Sequence, residues 1–189
     1  MTRVLVVVVC AALIAPAAAC AQGPKVGMVT TLKGTVTARR AALQDPVTLQ
    51  FKDDVFQDDT ITTAEKSLAR MLLGSKTVVT LCDRSVVTIA SVPGPLPIAL
   101  ETGKLALAVA SEKLRSGEQI QIRTPNALAD VRGTVVIAEV TPLPTPADAR
   151  ASRVTTRFSV LRGTITVQPL DPATGQPAAA QLTIGKLET

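Results

Sequence analysis

Apolar and polar positions alternate along this chain with a period of two, in short runs rich in valine, isoleucine and threonine. In SLARMLLG, Ala69, Met71 and Leu73 share one side of an extended strand, and Leu68, Arg70 and Leu72 share the other. Arg70 marks its own side as outer, so the first set is the predicted core row. In TVVTLC the same reasoning turns Val79 and Leu81 inward and Thr80 and Cys82 outward. Strands are predicted at Val26–Thr31, Gly34–Arg39, Thr60–Thr63, Ser67–Leu73, Thr77–Leu81 and Ser85–Ala90. Others follow at Gly103–Ala110, Gln119–Arg123, Thr134–Val140, Phe158–Leu161, Thr164–Val167 and Gln181–Ile184. Turn formers such as Gly74-Ser75-Lys76, Asp83-Arg84, Arg162-Gly163 and Asp171-Pro172 separate them. Strands this short and close leave no room for crossover helices, so the predicted fold is all-β. Only Ala41–Leu43 and Ser111–Leu114 could form even a helical turn.

A weak repeat runs through the pattern. Gly34-Thr35-Val36, Gly103-Lys104-Leu105, Gly133-Thr134-Val135 and Gly163-Thr164-Ile165 each open an alternating run. Repeated glycine-led strands suggest a compact solenoid-like coil or a rolled β-sandwich, and their uneven spacing argues against a long regular β-helix. The stretch RTPNALADVRGTVVIAEV has the sharpest punctuation. Pro125 cannot donate to a ladder and holds Thr124 extended, so pairing should stop there and the chain should turn through a small polar segment. Gly133 then allows a tight corner or a positive φ before the next strand. Thr124, Pro125, Arg132, Gly133 and Thr134 are accordingly read as fold residues rather than a site.

The N-terminal segment stands apart from this pattern. Arg3 precedes an unbroken apolar run from Val4 to Ala15, then Pro16 and small residues, the plan of a secretory signal. Residues 1–21 are read as that signal and residues 22–189 as one all-β domain, with cleavage after Ala21 exposing Gln22. Ala17-Ala18-Ala19-Cys20 offers the alternative of a bacterial lipoprotein box, with Cys20 lipidated and the chain tethered to a membrane. No later run is long and apolar enough for a transmembrane helix. The expected location is periplasmic or secreted, or an outer-membrane lipoprotein if Cys20 is acylated. Of the three cysteines only Cys82 survives simple cleavage, so an internal disulfide is not expected.

Composition removes several classes of chemistry. The chain has no histidine, and so lacks the commonest general base and the usual zinc ligand. Twenty Lys and Arg face 15 Asp and Glu, but the basic residues are scattered; with no Trp or Tyr and three Phe, aromatic platforms for exposed bases are scarce. No nucleic-acid partner, cofactor, metal or catalytic residue is expected, and the chain is not read as an enzyme. One acidic cluster stands out: Asp53-Asp54 and Asp58-Asp59 flank Val55-Phe56-Gln57. Calcium is a candidate ligand, yet neighbouring strand residues point opposite ways, so solvated turn carboxylates are the preferred reading.

In order, these pieces resemble the FecR domain, the extracytoplasmic sensor domain of iron-dicitrate regulation. DDTITTAEKSLARMLLGSKTVVTLCDRSVVTI is similar to its first half; GKLALAV with IQIRTPNALADVRGTVVIAEV is similar to its most distinctive stretch. RFSVLRGTITV and AQLTIGK resemble the hairpin and strand that follow. Asp58-Asp59 stands where the family usually has Gly-Asp, and a signal sequence stands where its sensors carry an anti-sigma segment and a membrane helix. The resemblance therefore implies a stand-alone exported binding or sensing half rather than a sigma-factor regulator. The Pro-rich stretch 141–153 is read as an insertion projecting as a loop. Thr141, Pro142, Leu143, Pro144, Arg150 and Arg153 are its candidate contacts for an envelope protein partner. The alternative is a structural, surface-associated or lipidated β protein that self-associates.

Overall fold

A computed structural model describes residues 23–74, 76–90, 96–110, 120–143, 153–171 and 174–186. Among these there is no helix. Fifteen strands follow one another: β1 Lys25–Lys33, β2 Val36–Arg39, β3 Val47–Thr48, β4 Asp54–Phe56, β5 Thr60–Thr63, β6 Leu68–Leu73, β7 Thr77–Leu81 and β8 Val86–Ile89. Then come β9 Leu96–Val109, β10 Ile120–Arg123, β11 Ala127–Val131, β12 Val135–Pro142, β13 Val154–Arg162, β14 Thr164–Pro169 and β15 Leu182–Gly185.

The strands pair into two arrays that share β9. One runs β4-β1-β6-β7-β9-β12-β13, using Gly103–Val109 of β9. The other runs β3-β2-β5-β8-β9-β10-β11-β14-β15, using Leu96–Thr102. The sheet does not close into a barrel, and the fold is all-β in a form consistent with a β-sandwich. Alternation supplies the core. Ala69, Met71, Leu73, Val79 and Leu81 are fully buried, joined by Leu105 and Leu107 from β9 and Val136 and Ala138 from β12. The opposite array contributes Ile61, Val87, Ile89, Ile98, Ile122, Ala129 and Ile165 to the same cluster.

The chain passes between arrays at corners, and three of these share one construction. A residue with positive φ precedes a buried Ser or Thr: Lys66 (55°) before Ser67, Arg84 (50°) before Ser85, and Gly133 (62°) before Thr134. Each hydroxyl donates back two residues, Ser67 to the Glu65 carbonyl at 3.1 Å, Ser85 to Asp83 at 3.2 Å and Thr134 to Arg132 at 3.0 Å. A glycine from a neighbouring crossing of the chain lies against each hydroxyl-bearing residue: Gly34 between β1 and β2, Gly103 within β9, and Gly163 between β13 and β14. The next backbone group completes the lock in two cases. Thr35 N–H donates to Ser67 Oγ and Lys104 N–H to Ser85 Oγ, both at 2.9 Å.

Several expectations change. The glycine repeat is not a stack of equal units, because Gly133 occupies the position held by Lys66 and Arg84 while the other three glycines lie against the Ser or Thr that follows. Gly34, Ser67, Ser85 and Thr134, read as strand starts, are corner residues just outside their strands. The polar segment after Pro125 is a turn of only two residues followed by β11, whose Ala127, Ala129 and Val131 are buried. β9 begins seven residues before the predicted Gly103, pairing in parallel with β10. β13 begins at Val154 rather than Phe158.

Candidate interaction surface

The surface around the β12–β13 hairpin gathers most of the sequence-predicted residues. Thr141 and Pro142 are not loop residues: they end β12 and stand in register with Thr155 and Val154, and Leu143 N–H donates to the Arg153 carbonyl at 2.8 Å. The ladder runs past Pro142 because its nitrogen faces away from β13, the bonds between the strands being made by its neighbours. Thr141, Pro142, Leu143 and Arg153 are exposed, so this end of the hairpin presents both apolar and cationic groups to solvent. Pro144 and Arg150 lie outside the described residues.

The Thr124-Pro125 turn anchors this hairpin from below. The Thr124 hydroxyl accepts from Ala127 N–H at 3.0 Å and closes the β10–β11 turn. Thr156 Oγ1 of β13 donates toward Asn126 Oδ1 at 2.5 Å and lies 3.1 Å from Thr124 Oγ1, while Asn126 Nδ2 donates to the Val154 carbonyl at 3.2 Å. Thr124 is almost fully buried, so these bonds form in a poorly solvated place where breaking them is costly. Thr134 does comparable work at the opposite end of β12, lying 3.0 Å from the Thr164 carbonyl. Arg132 itself is exposed. Thr124, Pro125, Gly133 and Thr134 thus sit at turns and corners.

A shallow groove of about 510 Å³ opens beside this end of the hairpin, between Cys82–Arg84, Thr102–Lys104 and Glu139–Pro142. Lys104 Nζ and Glu139 Oε1 form an ion pair 3.3 Å apart at its wall, and Arg84 pairs with Glu65 at 3.2 Å. Cys82 is half-buried in the groove, its backbone N–H donating to the Lys104 carbonyl at 2.9 Å. Burial raises the pKa of its thiol, with Lys104 opposing and Asp83 and Glu139 adding to the rise. Such a thiol stays protonated at neutral pH and is a poor nucleophile. Neither the groove nor the anchoring of β13 was visible in the sequence. Their residues come from segments far apart in the chain, and only strand register brings them together.

The four aspartates do not converge. Asp53 accepts from Gln50 N–H at 2.7 Å, and Asp54 pairs with Lys25 at 2.6 Å. Asp59 is buried, accepts from Phe56 N–H at 2.9 Å and lies 3.6 Å from Arg40 Nε. Asp58 is exposed and has a positive φ of 63°. No group of three metal-ligating side chains occurs among the described residues. Arg40 lies over the Phe56 ring at 4.7 Å and, with Asp59, lines a pocket of about 170 Å³. Burial pushes the Asp59 pKa above its ordinary value, with the Phe56 N–H and Arg40 opposing that rise.

Among the described residues, no helix is long and apolar enough to cross a membrane. Two crystal structures of a proposed anti-sigma factor from Parabacteroides distasonis ATCC 8503, at 2.50 and 1.65 Å resolution, are similar to this chain at a TM-score of 0.42 and 16% identity. The similarity covers 67% of this chain and 59% of theirs, so the chain spans under two thirds of their length. No curated protein matches the sequence. The model of the FecR protein family matches residues 59–166, from the residue before β5 into β14. That match takes in the Ser67, Ser85–Gly103 and Thr134–Gly163 corners and covers more than half of the 189 residues, and the chain belongs to the FecR family, whose domains are regulatory and extracytoplasmic.

Proposed function

We propose that this protein is an exported, non-catalytic module of the cell envelope that binds or senses a protein partner. Its contact surface is the β12–β13 hairpin and the groove beside it. The observation that carries the reading is FecR membership over residues 59–166. The surface chemistry agrees. The groove is broad and shallow and walled by an ion pair and backbone, and its one thiol is held protonated rather than activated. An open surface of this kind, about equally polar and apolar, suits a protein contact better than an enclosed small-molecule site. In this reading residues 1–21 are a removed leader, and the mature domain starts at Gln22.

The test is affinity capture of the tagged mature protein from its own envelope, with mass spectrometry of the bound proteins and of the bait's N-terminal peptide. The expected result is one enriched partner and a bait beginning at Gln22. An acylated Cys20 with no partner, or bait that captures only itself, would replace this reading with a surface-attached structural protein.

A further inference from the structure

The two arrays end in four strands of unequal length. β3, β4 and β15 close three ends with two, three and four residues, whereas β13 closes the fourth with nine. Short terminal strands are one way natural sheets guard their edges, since an unpaired row of N–H and C=O groups is a template for another strand. β13 is the exception: among the described residues β12 is its only ladder partner, and the Val154 carbonyl at its start is taken by Asn126 Nδ2.

The strand is also held in readiness. Phe158 and Val160 pack on the core, and the Thr156–Asn126 contact fixes its first turn of pleat. Its outer row, Thr155, Arg157 and Ser159, is exposed. Leu161, the extra residue where the register shifts, is 54% exposed. Arg153, Arg157 and Arg162 are all exposed, and among the described residues none forms an ion pair with a carboxylate. Glu139 is the cross-strand neighbour of Arg157, but it pairs with Lys104 instead.

We propose that β13 accepts an extended acidic segment of a protein partner as an added strand, with carboxylates of that segment alongside Arg157 and near Arg153 and Arg162. The proposal rests on the partner-binding reading above and names the surface and the chemistry that surface selects. Main-chain bonds along the edge would supply affinity, and the unpaired guanidiniums would supply selectivity and speed of encounter. A second copy of this chain fits poorly, because two β13 edges side by side would bring like charges together.

The test uses the mature chain and two synthetic nine-residue peptides, one alternating glutamate with valine and threonine, the other with lysine replacing glutamate. Binding is read by fluorescence anisotropy, and backbone protection by hydrogen exchange. The glutamate peptide should bind and slow exchange across residues 155–162. Arg157→Glu should weaken that binding about tenfold and improve binding of the lysine peptide. Arg157 is exposed, so an unchanged melting temperature confirms that the variant is folded. Equal binding of the two peptides, protection elsewhere, or dimerisation through β13 without peptide would each overturn the proposal. If envelope capture finds a partner whose binding ignores Arg157→Glu, the partner reading stands and the strand-addition proposal falls.

Discussion

A methyl group on Gly103 would sit 2.6 Å from the Ser85 Cα and 2.7 Å from the Arg84 carbonyl oxygen, with φ already at 90°. Backbone cannot retreat from such contacts without opening the corner. Gly103→Ala should therefore cost about 2–5 kcal/mol, combining left-handed strain with overpacking. Gly185→Ala, whose Cβ would meet nothing within 4 Å, should stay within about 0.5 kcal/mol of wild type. Chemical denaturation of both variants checks the contrast. Asp59 makes a different residue-scale prediction. Burial raises its folded pKa above 3.8, so the folded state keeps a proton that the unfolded state has already released. The associated stability is fully present below 3.8 and is lost as pH rises through the folded value. Asp59→Asn cannot ionise and should show a flatter melting temperature over that window. A difference between wild type and variant that does not change with pH would contradict the assignment.

At the scale of elements, the three Ser/Thr corners make one comparison. Lys66 and Arg84 hold the positive φ that Gly133 holds more cheaply. Lys66→Gly should raise stability by about 0.5–1 kcal/mol, read as a higher denaturation midpoint with an unchanged slope. A loss of stability would show that the corners are not equivalent. The sequence announced the core rows through Arg70 and Thr80, because a charged or polar residue on one face labels the other. It hid β11 because alanine is a weak strand former and Pro125 had already signalled a stop. It hid the first half of β9 behind Pro95 and Pro97. The corner pairing of Ser67 with Gly34 and of Ser85 with Gly103 was beyond reach as well: the glycines were visible, but their partners are fixed by long-range register.

At the scale of the molecule, the two arrays form one frame with a single packed core, and the features suited to a partner lie together on it. The groove, the exposed end of the β12–β13 hairpin and the long edge of β13 share residues or adjoin along β12. Family membership was legible from Thr124-Pro125 through Arg132-Gly133-Thr134, which lie within the matched residues. The hairpin was legible only in part, since a proline-rich run reads as loop even where its first residues continue a strand. The most direct test of the account is hydrogen–deuterium exchange on the mature protein with and without the partner captured from the envelope. The account predicts slowed exchange confined to residues 136–143 and 153–162 and the neighbouring 82–84 and 102–104. Slowed exchange over the β1–β4 end instead, with the hairpin unaffected, would contradict it.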